Sequence, residues 1–252
     1  MVELLSIEAI QGALQGYWRV SILDETPSTM NNLKSSETEP WDLVAAEFQS
    51  AGRGRLDRKF ESPKNSGLLF SFYVETKKDQ KYWGFIPLLI GKVVAATLNE
   101  FSGQTQFKTK WPNDVLVKDK KISGVLVETH KSGLIIGVGI NISNQVDQLP
   151  VPTATSFFLE TGELINRNIL LAKILNRFRE VFTTWESGGD FVNSYLASSA
   201  TIGEEVEIYL PGDEKLSGRA IGVNQSGALI LEGGEEVTVG DVVHLRATKI
   251  SK

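Results

Sequence analysis

The densest chemistry in this sequence lies between Gly52 and Phe60, where Gly52, Arg53, Gly54, Arg55, Arg58, Lys59 and Phe60 crowd one stretch. Alternating glycines let a backbone bend closely around a ligand. Each guanidinium offers a planar fork of donors that keeps its charge at any ordinary pH. Such a stretch suits phosphate or carboxylate oxygens, and a solvated basic loop would read the same way. The pattern also occurs in RNA-binding tails, but here it stands between two predicted strands, which disfavours a tail. A second group is Lys108-Thr109-Lys110-Trp111-Pro112-Asn113-Asp114. On a strand, Lys108 and Lys110 share one face and Thr109 and Trp111 the other. A lysine flanked by Phe107 and Trp111 is at least partly buried, and a buried ammonium needs an anion. Asp114, Glu128 or a ligand could supply it.

Two further groups are quieter. In Gly137-Val138-Gly139-Ile140-Asn141-Ile142, positions 137, 139 and 141 fall on one strand face and leave a shallow shelf. Gly124 is a similar gap. Glycine inside a strand often marks the close approach of a ligand or another backbone, and sheet packing explains it equally. Thr26-Pro27-Ser28-Thr29-Met30 reads as a helix start, whose free N–H groups suit an oxyanion or a urea-like oxygen. The four groups together describe a cleft for a small apolar carboxylate activated through a nucleotide phosphate.

The elements that must position these groups follow from periodicity and breakers. Helical spacing appears in residues 3–15, from Ser28 to Lys34, over Gly84–Phe101 and over Asn168–Trp185, with another short helix at 190–197. Strands are expected at Tyr17–Leu23, from Leu43 to Gln49, and at Gly67–Val74, Phe107–Trp111, Val115–Val117, Ile122–Thr129 and Leu134–Ile142. Residues 50–66 read as a long loop, expected to be mobile without ligand and ordered by it. From Thr201 onward five short β-like runs alternate with glycine-rich turns, which reads as a small barrel, with a joint at Ser187-Gly188-Gly189.

Composition narrows the classes. The 252 residues are 41% hydrophobic and 23% charged, an ordinary globular balance. With no cysteine and two histidines, disulfide scaffolds, thiol nucleophiles and cysteine-ligated zinc are excluded. The net charge of −5 sits in residues 190–252, and the remainder is neutral, so no field for nucleic acid exists. No uninterrupted apolar run suggests a membrane span, and the N-terminus does not read as a signal peptide. The expectation is a cytoplasmic protein without nucleic-acid or membrane partners.

The ordered set Ser28-Thr29, Gln49, Gly52-Arg53-Gly54-Arg55, Ser62-Pro63, Lys110-Trp111-Pro112-Asn113-Asp114, Lys121 to Glu128 and Gly137 to Asn141 resembles the biotin protein ligases over roughly residues 20–250. The resemblance implies an α+β fold: a mixed sheet with helices on one side in residues 1–189, and a small SH3-like barrel with its connecting helix in residues 190–252. It implies an ATP-dependent ligase that makes biotinyl-5′-AMP from biotin and ATP. The enzyme then transfers biotin to one lysine of a biotin carboxyl carrier protein. By this resemblance Lys110 and Arg55 are catalytic. Ser28, Thr29, Met30, Gln49, Arg53, Gly54, Arg55, Lys110, Gly124, Gly137 and Gly139 hold biotin. Arg58, Phe60, Trp111, Asn113 and Asn141 hold the nucleotide. Mg2+ is held mainly through the ATP phosphates, with no dedicated metal ligands. Asp57, Phe60 and Met30 depart from residues common in the family and bear on ligand affinity. About 16 residues precede the first strand, too few for the DNA-binding module some members carry. Some members form homodimers by sheet extension. The rival readings are a lipoate or octanoate ligase and a non-catalytic binding module.

Overall fold

The computed structural model describes residues 3–35, 37–55, 58–103, 106–212 and 214–245; Asp57 lies outside them. The first sheet is built from β1 (Arg19–Leu23), β2 (Asp42–Ala46), β3 (Gly67–Glu75), β4 (Lys108–Lys110), β5 (Asp114–Val117), β6 (Lys120–His130) and β7 (Gly133–Asn141). Their order is β1-β2-β3-β7-β6-β5-β4. β1 and β2 run parallel and every other neighbour antiparallel. The longest apolar runs take the centre, because only there are both faces of a strand covered. β3 and β7 pair without interruption from Gly67↔Asn141 to Glu75↔Gly133, and every residue of β7 is buried.

Three helices cover one face: α1 (Ile7–Ala13), α3 (Ile86–Phe101) and α5 (Arg167–Glu186). A short 3-10 turn, Gln80–Phe85, leads into α3. Together they form a segment long and apolar enough to cross a membrane, and most of its apolar stretch is buried, as befits a core helix. The Asn166 side chain accepts from the Asn168 and Ile169 N–H groups and so caps α5. Phe70, Phe72, Phe178 and Phe182 stack and interlock in the layer between α5 and the sheet. The short helix α2 (Thr29–Ser35) lies on the opposite face. There Met30, Leu33, Val44, Tyr73 and Ile135 form a separate small core, while the alternating neighbours Leu43, Ala45, Phe72 and Ile136 point to the other.

After α4 (Phe157–Thr161), α5 and α6 (Val192–Leu196), a second sheet contains β8 (Glu205–Tyr209), β9 (Lys215–Val223), β10 (Leu229–Leu231), β11 (Glu236–Val237) and β12 (Asp241–His244). Its order is β11-β10-β9-β8-β12. The two sheets are tied along β4. Thr109 N donates to Ser198 O and Ala200 N to Thr109 O, so residues 198–200 extend that edge. Trp111 then donates from its backbone N to Thr201 Oγ1 at 3.1 Å and from Nε1 to Gly227 O at 2.9 Å.

Among the elements that differ from the sequence expectation are β2, which stops at Ala46 rather than Gln49, α4 and β9. α4 falls inside what reads as a proline-punctuated loop; its five residues, capped by Ser156, are too few to show a period. β9 begins at Lys215, whereas the sequence reads as a strand only from Ala220 to Val223, because its first half alternates partly buried with exposed side chains and has no apolar run to reveal it.

Candidate active site

Strand register assembles the site. One row across the first sheet reads Leu69, Gly139, Gly124, Asp114, Lys110, and the next reads Ser71, Gly137, Leu126. Residues in register share a face, so Gly139 and Gly124 leave adjoining gaps with Asp114 and Lys110 beside them. A cavity of about 970 Å3 opens over these rows. The start of α2, the arginine loop and β12 wall it in. Of the sequence-predicted residues, Ser28, Thr29, Met30, Gln49, Arg53, Gly54, Arg55, Arg58, Phe60, Lys110, Asn113, Gly124, Gly137, Gly139 and Asn141 all line it.

At the α2 end, Gln49 Oε1 accepts from Thr29 N at 2.8 Å and from Thr29 Oγ1 at 3.1 Å. Thr29 Oγ1 also lies 2.7 Å from Ser71 Oγ. With its oxygen so engaged, the Gln49 amide has its Nε2 left as a donor for a ligand oxygen. The glycine shelf is not the bare floor expected from sequence. A Cβ on Gly137 would stand 2.7 Å from Met30 Sδ, and one on Gly139 would stand 2.6 Å from the Phe60 ring. The glycines are seats for these two side chains, and any larger residue would push them into the cavity.

The loop is a narrow hairpin. Gly54 N donates to Arg58 O at 2.7 Å and Phe60 N to Gly52 O at 3.0 Å, with Arg53 bridged to Lys59. Gly52 has no room for a side chain, since a Cβ there would meet Phe60 O at 2.3 Å. Arg53 leaves the cavity rim for Glu128 (3.3 Å) and Asn31 (2.9 Å). Arg58 pairs with Asp241 of β12. Arg55 donates to Asn113 Oδ1 and to the Gly240 carbonyl, both at 3.3 Å.

The anions named for Lys110 are taken by other cations: Asp114 by Lys121 at 2.7 Å, and Glu128 by Lys34 at 2.7 Å. Among the described residues no carboxylate lies within 4.0 Å of the Lys110 ammonium or the Arg55 guanidinium. Burial pulls both pKa values below their ordinary range, against the pull of Asp114 and Asp241. These two half-buried cations therefore face the cavity without an ion-pair partner, a costly state that an anionic ligand relieves.

At the far end, Asn141 donates from Nδ2 to Thr155 O at 3.0 Å, and its Oδ1 is buried with no protein partner. That oxygen is an acceptor available to a ligand N–H. Trp111 does not join the cavity: it is 1% exposed and belongs to the core between the two sheets. The nucleotide group expected from sequence included Trp111, but its side chain is not among the cavity lining and bonds the second sheet instead. Sequence reasoning missed Ser71, and also Asp241, Val243 and His244 of β12, which complete the wall. Ser71, a lone hydroxyl in an apolar strand, was a readable signal. β12 carried none.

Residues 20–143 match the biotin/lipoate A/B protein ligase family, and residues 201–245 match the biotin protein ligase C terminal domain. The chain is 31% identical to the biotin–[acetyl-CoA-carboxylase] ligase of Mycobacterium tuberculosis, over 93% of this chain and 92% of that protein. It is 31% identical to the bifunctional ligase/repressor BirA of Escherichia coli, over 92% of this chain and 74% of that protein. Its structure is similar to the Aquifex aeolicus biotin protein ligase in complex with biotin and ATP, with a TM-score of 0.79 and 30% identity, covering 92% of this chain and 100% of that one.

Proposed function

Because this chain belongs to the biotin protein ligases of the biotin/lipoate A/B protein ligase family, we infer that its cavity activates biotin with ATP and hands it to a carrier lysine. The observation that carries this reading is the pair of cations, Lys110 and Arg55, that have no carboxylate partner among the described residues and are set beside a glycine-gapped apolar face. A biotin carboxylate attacking the α-phosphorus of ATP brings two anions together. Fixed cations already stripped of water offset that repulsion and the charge growing in the transition state. Lys110 is assigned to the carboxylate and the α-phosphate, and Arg55 to the acyl phosphate that forms. Pyrophosphate leaves. In the second step the carrier lysine attacks the acyl carbon, and AMP leaves.

The remaining lining divides by chemistry. Ser28, Thr29, Gln49 and Ser71 offer the polar groups for a ureido ring, and Met30 and Leu126 flank an apolar chain. Asn141 Oδ1 is placed for an exocyclic amine of the base, with Phe60 and Arg58 nearer the nucleotide side. Magnesium would arrive on the ATP phosphates and screen their charge. In this reading the phosphate oxygens hold the ion, since Asp114 and Asp241 already pair with Lys121 and Arg58.

The acceptor in this reading is the biotin carboxyl carrier of a carboxylase such as acetyl-CoA carboxylase, and the enzyme works in the cytoplasm. Residues 1–189 form the catalytic unit and 190–252 the C-terminal unit. A homodimer built by sheet extension would use β1, since residues 198–200 already extend β4. The C-terminal match favours biotin over lipoate as substrate. The test incubates the protein with carrier, ATP and biotin and weighs the carrier. A biotin adduct that needs both small molecules supports the reading; a carrier modified when lipoate or octanoate replaces biotin but not with biotin itself would overturn it.

A further inference from the structure

The two stems of the arginine loop meet at a buried ion pair that the chemistry above does not use. Glu47 follows β2 and Gly67 opens β3, and the chain between them carries Gln49 and the whole Gly52–Phe60 hairpin. Arg167, in the first turn of α5, is 0% exposed and Glu47 is 5% exposed. Arg167 Nη1 donates to Glu47 Oε2 at 2.6 Å and to the Gly67 carbonyl at 2.9 Å. Its Nη2 donates to Glu47 Oε1 at 3.1 Å and to the Glu3 carbonyl at 2.8 Å. Glu47 Oε1 also accepts from Leu5 N at 2.6 Å. Asn65 N donates to the Glu47 carbonyl at 3.1 Å and closes the loop at its base. One guanidinium fork thus grips both stems.

Stability alone is a poor reason for such a pair, since apolar residues of similar volume often serve a core as well or better. An apolar pair cannot, however, bond a carboxylate on one stem and a carbonyl on the other at fixed angles. Glu47 stands two residues before Gln49, so its placement is transmitted to the amide that faces the cavity. The loop between the stems carries Arg55, so a shift in the spacing of the stems moves both Gln49 and Arg55 relative to the cavity they line.

We propose that Arg167 is a positioning residue for biotin ligation: acting through Glu47 and Gly67, it sets the spacing of the loop stems and thereby places Gln49 and Arg55 over the cavity. The proposal rests on the reading of that cavity as the biotin and ATP site. Arg167 itself does not line the cavity.

The test compares wild type with Arg167→Lys and with the apolar double variant Glu47→Leu/Arg167→Met. Lysine keeps a charge opposite Glu47 but has no second fork for the Gly67 carbonyl. Three quantities are read: Tm, trypsin cleavage between Arg53 and Lys64 without ligands, and KM for biotin against kcat in biotin-dependent pyrophosphate release. Both variants should be cleaved about tenfold faster and show a biotin KM raised about tenfold with kcat changed less, on the scale of one lost charged contact. The double variant should do so even with its Tm restored towards wild type. Wild-type cleavage and biotin KM in whichever variant folds, or loop effects that merely follow Tm, would overturn the proposal; so would failure of both variants to fold, which would make Arg167 structural. Cleavage needs no substrate, so a wild type inert towards biotin sinks the functional reading while the loop measurement still judges Arg167.

Discussion

Lys110 owes its chemical character to what surrounds it. Asp114 is its register partner across β4 and β5 but is held by Lys121, and burial lowers the lysine's pKa. Lys110→Ala should cut biotinyl-adenylate formation by about 10²-fold or more, as removal of one preorganised charge donor does. Its fold should survive, because a buried charge is lost rather than core packing; wild-type adenylation by a folded mutant would remove the residue from the mechanism. The sign of the pH effect is fixed by the downward shift. Below the folded pKa the ligand-free protein carries the full cost of the buried charge. That cost disappears as pH climbs towards the ordinary lysine value near 10.5. Activity should therefore fall on the alkaline side from a pH below the usual lysine range while ligand-free stability gains, and the residual rate of Lys110→Ala should lack that limb. Rate against pH for the two proteins checks it. Arg55→Gly should behave differently. One charged contact is worth about 1.5–3 kcal/mol, or roughly 10- to 150-fold in retention of the adenylate. The escaped mixed anhydride would acylate bystander lysines. A streptavidin blot with albumin, ATP and biotin reads this, and adenylate made without labelled albumin would count against the assigned grip.

The arginine loop is the element on which the site depends, and it is only half legible in sequence. The breakers at Gly52, Gly54 and Pro63 mark a loop, and the arginines mark its ligand chemistry. The hairpin bonds from Gly54 to Arg58 and from Phe60 to Gly52 were hidden, since no apolar alternation accompanies them. Nor could sequence show that Phe60 and Met30 rest on Gly139 and Gly137, because register alone brings those residues together. The loop is held at its tip by Arg58–Asp241 and Arg55–Gly240, contacts that anionic ligands would compete for. Tryptic cleavage between Arg53 and Lys59 should fall when biotin and ATP are added together, the closing behaviour expected of a lid over a reactive intermediate. Equal rates with and without ligands would show that the loop does not respond.

At the scale of the molecule, the C-terminal sheet is part of the site. β12 supplies Asp241, Val243 and His244 to the cavity wall, and the Trp111 side chain anchors that sheet through Gly227. Trp111→Ala should cost about 3–5 kcal/mol of stability through lost burial and the cavity left behind. Trp111→Phe keeps an aromatic ring, smaller than the indole, but strands the Gly227 carbonyl, at a cost of about 1–3 kcal/mol for the lost hydrogen bond. If Trp111 is an anchor and not a nucleotide contact, the folded Trp111→Phe enzyme should keep its KM for ATP within a few-fold while its Tm drops. A large rise in that KM at unchanged Tm would return the residue to the nucleotide site.

Local sequence is enough for the secondary elements with strong periods, the strand–loop–strand setting of the arginines, and the residue types able to meet an anion. These are local properties: side-chain alternation, glycine freedom and permanent charge act within a few residues. Tertiary structure alone decided which cations lack a carboxylate among the described residues, since Asp114, Glu128 and Asp241 each find another partner across strands or across the two sheets. It also decided that Trp111 faces the second sheet, that β12 closes the cavity, and that Arg167 holds both stems of a loop a hundred residues earlier. Ion pairing and burial depend on distance in space, and two chain segments far apart in sequence acquire that distance only when the sheet register is set.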